Sequence, residues 1–395
     1  MRYVHGKLIF IVVSVIFFTF FFTDFLDSQR PTRNTFGFDI PRKLSQPNSS
    51  HDTDIIDDHH TKKQRTAKSH KDIFFLKTHK CASSTVQNIL MRFGFNNGLN
   101  FALPGKGNYL GNPKHFRESM IGKSVRTISG VYNIFTHHTR FNKTSIKNVM
   151  RKGAIYVTIL RKPAELYESV FNYYKLEKLY QMNLTTLINN YSMLKKIERE
   201  HSRFGFNQMC YDLGMEEKYF QSRRRNNKFI LEMDKTFDLV MMTEYMEESL
   251  ILMADLMKWP LENIVFLRLN SRSPNRKIEL DSHQKKILRT LNKCDTRMQD
   301  YFFHRFKQKI KEYGIEKMKN KLEEFMQINN RFYSKCVEGQ KQSNTSLTIK
   351  YEIKNTSDLD CSLALKSELS FTTILRNTQH QRMNKLRSLK KLMRD

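Results

Sequence analysis

The alternation of apolar and polar positions divides the chain into stretches of different character. Residues 8–22 are apolar apart from Ser14 and Thr19, and with Phe25 and Leu26 the run approaches the length that spans a bilayer. Between residues 27 and 71 the apolar periodicity disappears. Pro31, Pro41 and Pro47 stand there in a mixed Ser, Asp, His and Lys stretch that reads as a stem. The character changes at Asp72: residues 73–76 form a short apolar run suited to a buried strand, and Val86, Ile89, Leu90 and Phe93 then recur at helical spacing. Further strands are predicted over 131–135, 154–160, 237–242 and 264–269. Helices are predicted over 165–180 and 245–259, the latter with Met246, Leu250, Met253 and Met257 on one face. Residues 282–336 read as mostly helical.

Strands alternating with helices imply an α/β fold with a central parallel sheet flanked by helices, whose ligands sit at the carboxyl ends of the strands. The chain therefore divides into a tail (1–7), an apolar segment (8–26), a stem (27–71), a folded domain (72–338) and a polar, then basic, extension (339–395). Near its end Leu386, Leu389 and Leu392 stand among Arg382, Lys385, Arg387, Lys390, Lys391 and Arg394. That pattern suits either a basic amphipathic helix that touches membrane or an acidic partner, or a solvated tail.

Charge orients the apolar segment. Arg2 and Lys7 precede it and Asp24 and Asp27 follow, so the positive-inside rule leaves the N-terminus cytosolic and the remainder lumenal, as a type II signal-anchor. A cleaved signal peptide is the competing reading, but no small-x-small site follows the run. Asn48, Asn142, Asn183, Asn190, Asn344 and Asn355 each begin an N-x-[ST] glycosylation triplet, which has meaning in a secretory compartment. The five cysteines form no C-x-x-C pair; with Cys81 set aside, Cys210, Cys294, Cys336 and Cys361 allow three disulfide connectivities. A formal net charge of +29 attracts anionic partners: nucleic acid, acidic glycans, a polyanionic nucleotide or anionic membrane. The lumenal signals argue against nucleic acid.

Two segments carry candidate chemistry. Lys77, Thr78, His79, Lys80, Cys81, Ala82, Ser83, Ser84 and Thr85 occupy the predicted strand-to-helix turn, where backbone N–H groups and the helix dipole bind phosphate. The turn lacks the G-x-x-x-x-G-K-[ST] pattern, so it is not a Walker A loop. A Ser/Thr-rich turn that merely caps a helix is its ordinary alternative. In the second segment a strand ends at Arg161, Pro163 suits a helix start, and Ser169 lies on that helix. Arg161 and Ser169 can converge on one phosphate.

With these residues in place, the chain resembles the galactose 3-O-sulfotransferase family. The similarity is carried by F-F-L-K-T-H-K-C-A-S-S-T-V-Q-N-I-L at 74–90, H-H-T-R-F at 137–141 and Y-V-T-I-L-R-K-P-A-E-L-Y-E-S-V-F-N-Y-Y at 156–174. Shorter similar pieces lie at 207–214, 237–250 and 269–272. The resemblance implies a P-loop-like sulfotransferase fold in a single-pass type II Golgi membrane protein. It also implies transfer of sulfate from 3′-phosphoadenosine 5′-phosphosulfate to the 3-hydroxyl of galactose on a glycolipid or glycoprotein. Under it, residues 77–85 bind the 5′-phosphosulfate and Arg161 and Ser169 the 3′-phosphate. Lys80 stabilises the departing phosphate oxygen, and His138 is the base, weighed against His137 and His79. Arg140 and His137 contact the acceptor. The chemistry needs no metal, and no metal-ligand cluster is evident. Cys81 stands where relatives often carry Thr or Ser, and Lys162 where Asp is common.

Overall fold

A computed structural model describes residues 69–200, 205–267, 277–341, 350–354 and 357–393. Its central sheet is parallel, in the order β2-β1-β3-β4, with β1 at Ile73–Leu76, β2 at Ile134–Phe135, β3 at Ile155–Leu160 and β4 at Leu239–Met242. Register pairs Ile73 with both Ile134 and Ile155, and Val157 with Leu239. Every residue of β1 is buried, as expected of an interior strand with both faces covered, which is why it reads as an unbroken apolar run.

Four of the five predicted strands are present, three of them with shorter bounds, and the reasons are local. Over 131–135 only Ile134–Phe135 pairs, because the Tyr132 N–H donates to Val149 O and the Asn133 N–H to Asn100 O. The predicted strand at 264–269 is not a strand in its described part. Leu261–Ile264 is a 3-10 turn. Beyond it the Arg92 guanidinium donates to Val265 O, and the Phe266 N–H donates to Asn329 Oδ1 at 2.7 Å, so side chains take the groups a sheet neighbour would need.

Helix α1, Ser83–Asn96, follows β1 directly, and α2, Pro163–Tyr173, follows β3 with Pro163 in its first turn. The helix predicted to reach residue 180 breaks after α2, where Lys175 takes a left-handed conformation and Leu176–Tyr180 restarts as a separate short helix. The short helix α3, Gln208–Asp212, precedes β4. Helix α4, Met246–Met257, follows β4 and buries Met246, Leu250, Met253 and Met257 as the periodicity requires. The predicted helical stretch holds a helix at Ser282–Leu291 and then two long ones, α5 at Lys293–Tyr313 and α6 at Ile315–Cys336.

Past residue 336 the hairpin β5–β6 (Val337–Lys341, Lys350–Ile353) and the short helix α7 (Leu359–Ala364) lead into α8, Glu368–Leu392. The first half of α8 is packed into the body: Phe371, Thr372, Leu375, Gln379 and Met383 are buried, and the Gln379 amide exchanges hydrogen bonds with both backbone groups of Phe101. Of the three possible disulfide connectivities the structure has Cys210–Cys294 and Cys336–Cys361, with Cys81 free. Among the described residues no helix is long and apolar enough to cross a membrane; the segment at 8–26 and the stem lie outside them. Asn142 and Asn183 cap helices through their side chains, and Asn190 is exposed. Asn48, Asn344 and Asn355 lie outside the described residues.

Candidate active site

The carboxyl ends of β1, β2, β3 and β4 bring four chain segments together. After Leu76 the backbone curls through positive φ at Lys80 (57°) and Ala82 (55°) and enters α1 with no side-chain cap. The Thr85 N–H donates back to Ala82 O at 3.1 Å, and a helix start without a side-chain cap, preceded by such a curl, is a geometry suited to phosphate. The turn is fastened from below: the Thr78 hydroxyl donates to Ile159 O at 2.6 Å and the Ser83 hydroxyl to Thr78 O at 2.7 Å. Thr243, just past β4, lies 2.9 Å from Cys81 O and 3.0 Å from Leu160 O. Arg161, at the end of β3, donates through Nη1 to Lys80 O at 2.9 Å.

Several residues expected to contact the donor thus have structural duties. Thr78 and Ser83 donate their hydroxyl protons to the backbone. Cys81 is wholly buried, its thiol donates to His79 O, and burial pushes its pKa up, so it is no thiolate nucleophile. Lys77 is only 2% exposed and its ammonium lies 2.5 Å from Glu368 of α8. Burial lowers the Lys77 pKa, and the Glu368 carboxylate opposes that shift. Lys80 carries its Nζ 3.6 Å above the ring of Tyr173. Thr85 is buried, and Ser84 is half-buried at the helix start. Arg161 reaches the turn, while Ser169, buried on α2, makes no hydrogen bond to it.

The two histidines after β2 have opposite environments, as alternation along an extended chain dictates. His137 is fully buried against α8. The Thr372 hydroxyl donates to Glu368 O at 2.7 Å, so the 2.9 Å contact between His137 Nε2 and Thr372 Oγ1 requires that His137 Nε2 carry the proton. Burial lowers the His137 pKa to about 4. It therefore stands behind the site, out of reach of a sugar.

His138 faces the turn. Its Nδ1 lies 2.9 Å from Lys77 O, and since a carbonyl only accepts, Nδ1 carries the proton and Nε2 the lone pair. Burial, reinforced by the neighbouring Lys77 charge, holds its pKa well below the usual histidine value, which keeps the ring neutral. The ring stacks on His79 (4.2 Å between centroids) and on Tyr109 (5.0 Å). His79 is held by Asp212 twice: the backbone N–H donates to Oδ2 at 2.7 Å, and Nδ1 lies 2.9 Å from Oδ1. Asp212 is buried and also accepts from Gln208 at 2.9 Å. Its helix, α3, is tied to α5 by Cys210–Cys294 and by buried Asp295, which accepts the N–H groups of Met209 and Cys210.

Arg140 lies over the ring of Tyr211 (4.3 Å), donates to Met215 O at 2.9 Å, and lines an open cleft of about 390 Å³ with Lys114, His115, Arg117 and Glu217. Among the described residues no group of three or more His, Cys, Asp or Glu is placed to hold a metal. Sequence reasoning did not single out Asp212, Glu368 or Thr372. Asp212 had a cue, because it lies inside the N-Q-M-C-Y-D-L-G segment; the other two are separated from their partners by 291 and 235 residues and had none.

Fold and site together define a parallel α/β protein with a strand–turn–helix suited to an anion beside a neutral, oriented histidine at the carboxyl edge of its sheet. Residues 22–355 match the family model for galactose-3-O-sulfotransferase, and the chain belongs to that family. It is 31% identical over 275 residues to the galactosylceramide sulfotransferase of Mus musculus, covering 68% of this chain and 64% of that protein. It is 28% identical over 279 residues to galactose-3-O-sulfotransferase 3 of Bos taurus (68% and 64%), and 30% identical over 290 residues to galactose-3-O-sulfotransferase 2 of Homo sapiens (68% of each). The chain thus matches slightly less than two thirds of the first two relatives. Glu368 and Thr372 lie beyond the residues that the family model matches.

Proposed function

We propose that this chain is a sulfotransferase that moves sulfate from 3′-phosphoadenosine 5′-phosphosulfate to the 3-hydroxyl of galactose on a glycolipid or glycoprotein. We place it in the Golgi membrane as a single-pass type II protein with its catalytic domain in the lumen. Family membership and the activities after which its relatives are named support the reaction class and the sugar. The observation that carries the mechanism is the hydrogen bond from His138 Nδ1 to Lys77 O, which leaves the lone pair of His138 on Nε2 beside the anion-binding turn.

The donor supplies an activated sulfuryl group: the acceptor oxygen bonds to sulfur as the bond to the 5′-phosphate breaks, and adenosine 3′,5′-bisphosphate leaves. The residues present fit such a polyanion. The uncapped start of α1 and the curl at Lys80 and Ala82 accept the 5′ end, Lys80 meets the charge that grows on the departing phosphate oxygen, and Arg161 with Ser169 holds the 3′-phosphate. His138 Nε2 takes the hydroxyl proton. The His79–Asp212 pair keeps the stacked ring in place, and the cleft beside Arg140 and Tyr211 receives the sugar.

The net charge of +29 favours one second reading, an acidic glycan such as a glycosaminoglycan as acceptor. A panel of terminal β-galactosides and glycosaminoglycan oligosaccharides, offered with labelled donor and followed by linkage analysis, separates the two. The expected product is 3-O-sulfated galactose. Transfer to other sugars alone removes the galactose assignment, and failure to bind adenosine 3′,5′-bisphosphate removes the enzyme assignment in favour of a silent glycan-binding relative.

A further inference from the structure

The distal end of α8 takes no part in the site. Along its first half Phe371, Leu375, Gln379 and Met383 recur on one face and are buried against the body. The same face continues through Leu386 and Met393, with Leu389 beside it, and there it meets no covering protein among the described residues: these three are 43%, 87% and 48% exposed. An apolar stripe has been carried past the edge of the core.

Its charges are of one sign, with Lys390 on the stripe itself, one turn past Leu386, and Arg387 and Lys391 to one side. From residue 369 to 393 the helix has no acidic side chain. Arg387, Lys390 and Lys391 surround a shallow cleft of about 320 Å³, together with Thr127 and the exposed Ile128. Arg387 is fixed there by donating to Arg126 O at 2.9 Å. Among the described residues no carboxylate pairs with these three cations. Apolar side chains bracketed by uncompensated cations are the two components of interfacial binding: the first enter the acyl boundary and the second meet headgroup anions. A second copy of the same surface would set like charges together, which disfavours self-association.

We propose that the distal end of α8, with Ile128, docks on a lipid surface that carries anionic headgroups. The contact is independent of the sulfotransferase reading and of the apolar segment at 8–26. Each cation at such a surface strengthens docking about fivefold, so replacing two weakens it roughly 25-fold.

The test uses the full-length chain reconstituted in vesicles, with an environment-sensitive fluorophore on Leu389→Cys. Labelling is selective, since Cys81 is buried and the other cysteines are in disulfides. Met326→Cys, exposed on α6, is the control. Shallow spin-labelled lipids are expected to quench position 389 at least about twofold more in vesicles of phosphatidylcholine with about 30% phosphatidylserine than in phosphatidylcholine alone. That difference should disappear with Lys390→Gln/Lys391→Gln, and position 326 should stay unquenched. The proposal fails if 389 is quenched no more than 326, if the anionic lipid makes no difference, or if quenching is unchanged by the double substitution. Protection of the fluorophore that rises only with protein density would identify a second copy instead, and protection only by an added acidic protein would identify a protein partner.

Discussion

The turn after β1 and the histidine pair after β2 meet at one hydrogen bond, from His138 to Lys77 O, yet they are built in opposite ways. The turn is mostly a backbone object: positive φ at Lys80 and Ala82 and an uncapped helix start create it from consecutive residues, and short hydroxyl contacts to the neighbouring strands fasten it. Side chains from distant segments order the histidines and two residues of the turn that meet them: Thr372 on α8 holds His137, Asp212 on α3 holds His79, on which His138 stacks, and Glu368 on α8 holds Lys77, whose carbonyl orients His138. The course of the turn is therefore set largely by consecutive residues, whereas the positions of the histidines depend on remote elements. The helix that supplies two of these supports lies beyond the residues matched by the family model.

The sharpest way to break this contrast is Glu368→Gln, which strands the buried Lys77 ammonium. Removal of one partner of a buried pair costs about 3–4 kcal/mol, and denaturant unfolding should show that loss, together with reduced turnover by the protein that remains folded. Undisturbed stability would mean that α8 does not brace the site. Next comes the anchor of α3. Replacing Cys210 and Cys294 by alanine opens a disulfide that spans 84 residues and should cost about 3 kcal/mol, seen as a lowered Tm.

His137 gives the contrast a pH signature of similar size. Its folded pKa of about 4 lies below the ordinary 6.5, so as pH falls the unfolded chain takes the proton first. Its contribution is fully present above pH 6.5 and is lost as pH falls toward 4. The loss amounts to about 3 kcal/mol. Urea unfolding across that window should show it, and His137→Asn should flatten the slope. The smallest effect is expected of Thr372→Val, which removes the acceptor of His137 Nε2–H and should lower stability by about 1 kcal/mol while leaving nucleotide affinity unchanged.

What could be read from the residues follows the same divide. The apolar runs at 73–76, 154–160 and 237–242 foretold strands of the parallel sheet because parallel strands covered on both faces are apolar throughout. The start of α2 was legible at Pro163, and the turn at 77–85 was legible because strand, turn and helix are consecutive. The run at 264–269 misled, since periodicity cannot reveal that Arg92 and Asn329 take its backbone groups. Lys77 read as an anion ligand through its neighbours, while its partner waits 291 residues away. His137 and His138 look alike in sequence; alternation says that they face opposite ways, and only the packing of α8 says which one lies against Thr372 and which one faces the turn.

The most direct test of the account is His138→Ala, assayed for adenosine 3′,5′-bisphosphate affinity and for sulfate transfer to a terminal β-galactoside on the same preparation. With the turn intact and the base removed, affinity should stay within about twofold while transfer falls about 10²–10⁴-fold. Near-normal transfer, or a loss of nucleotide affinity as large as the loss of turnover, would contradict the assignment of His138 as the base beside an independent anion-binding turn.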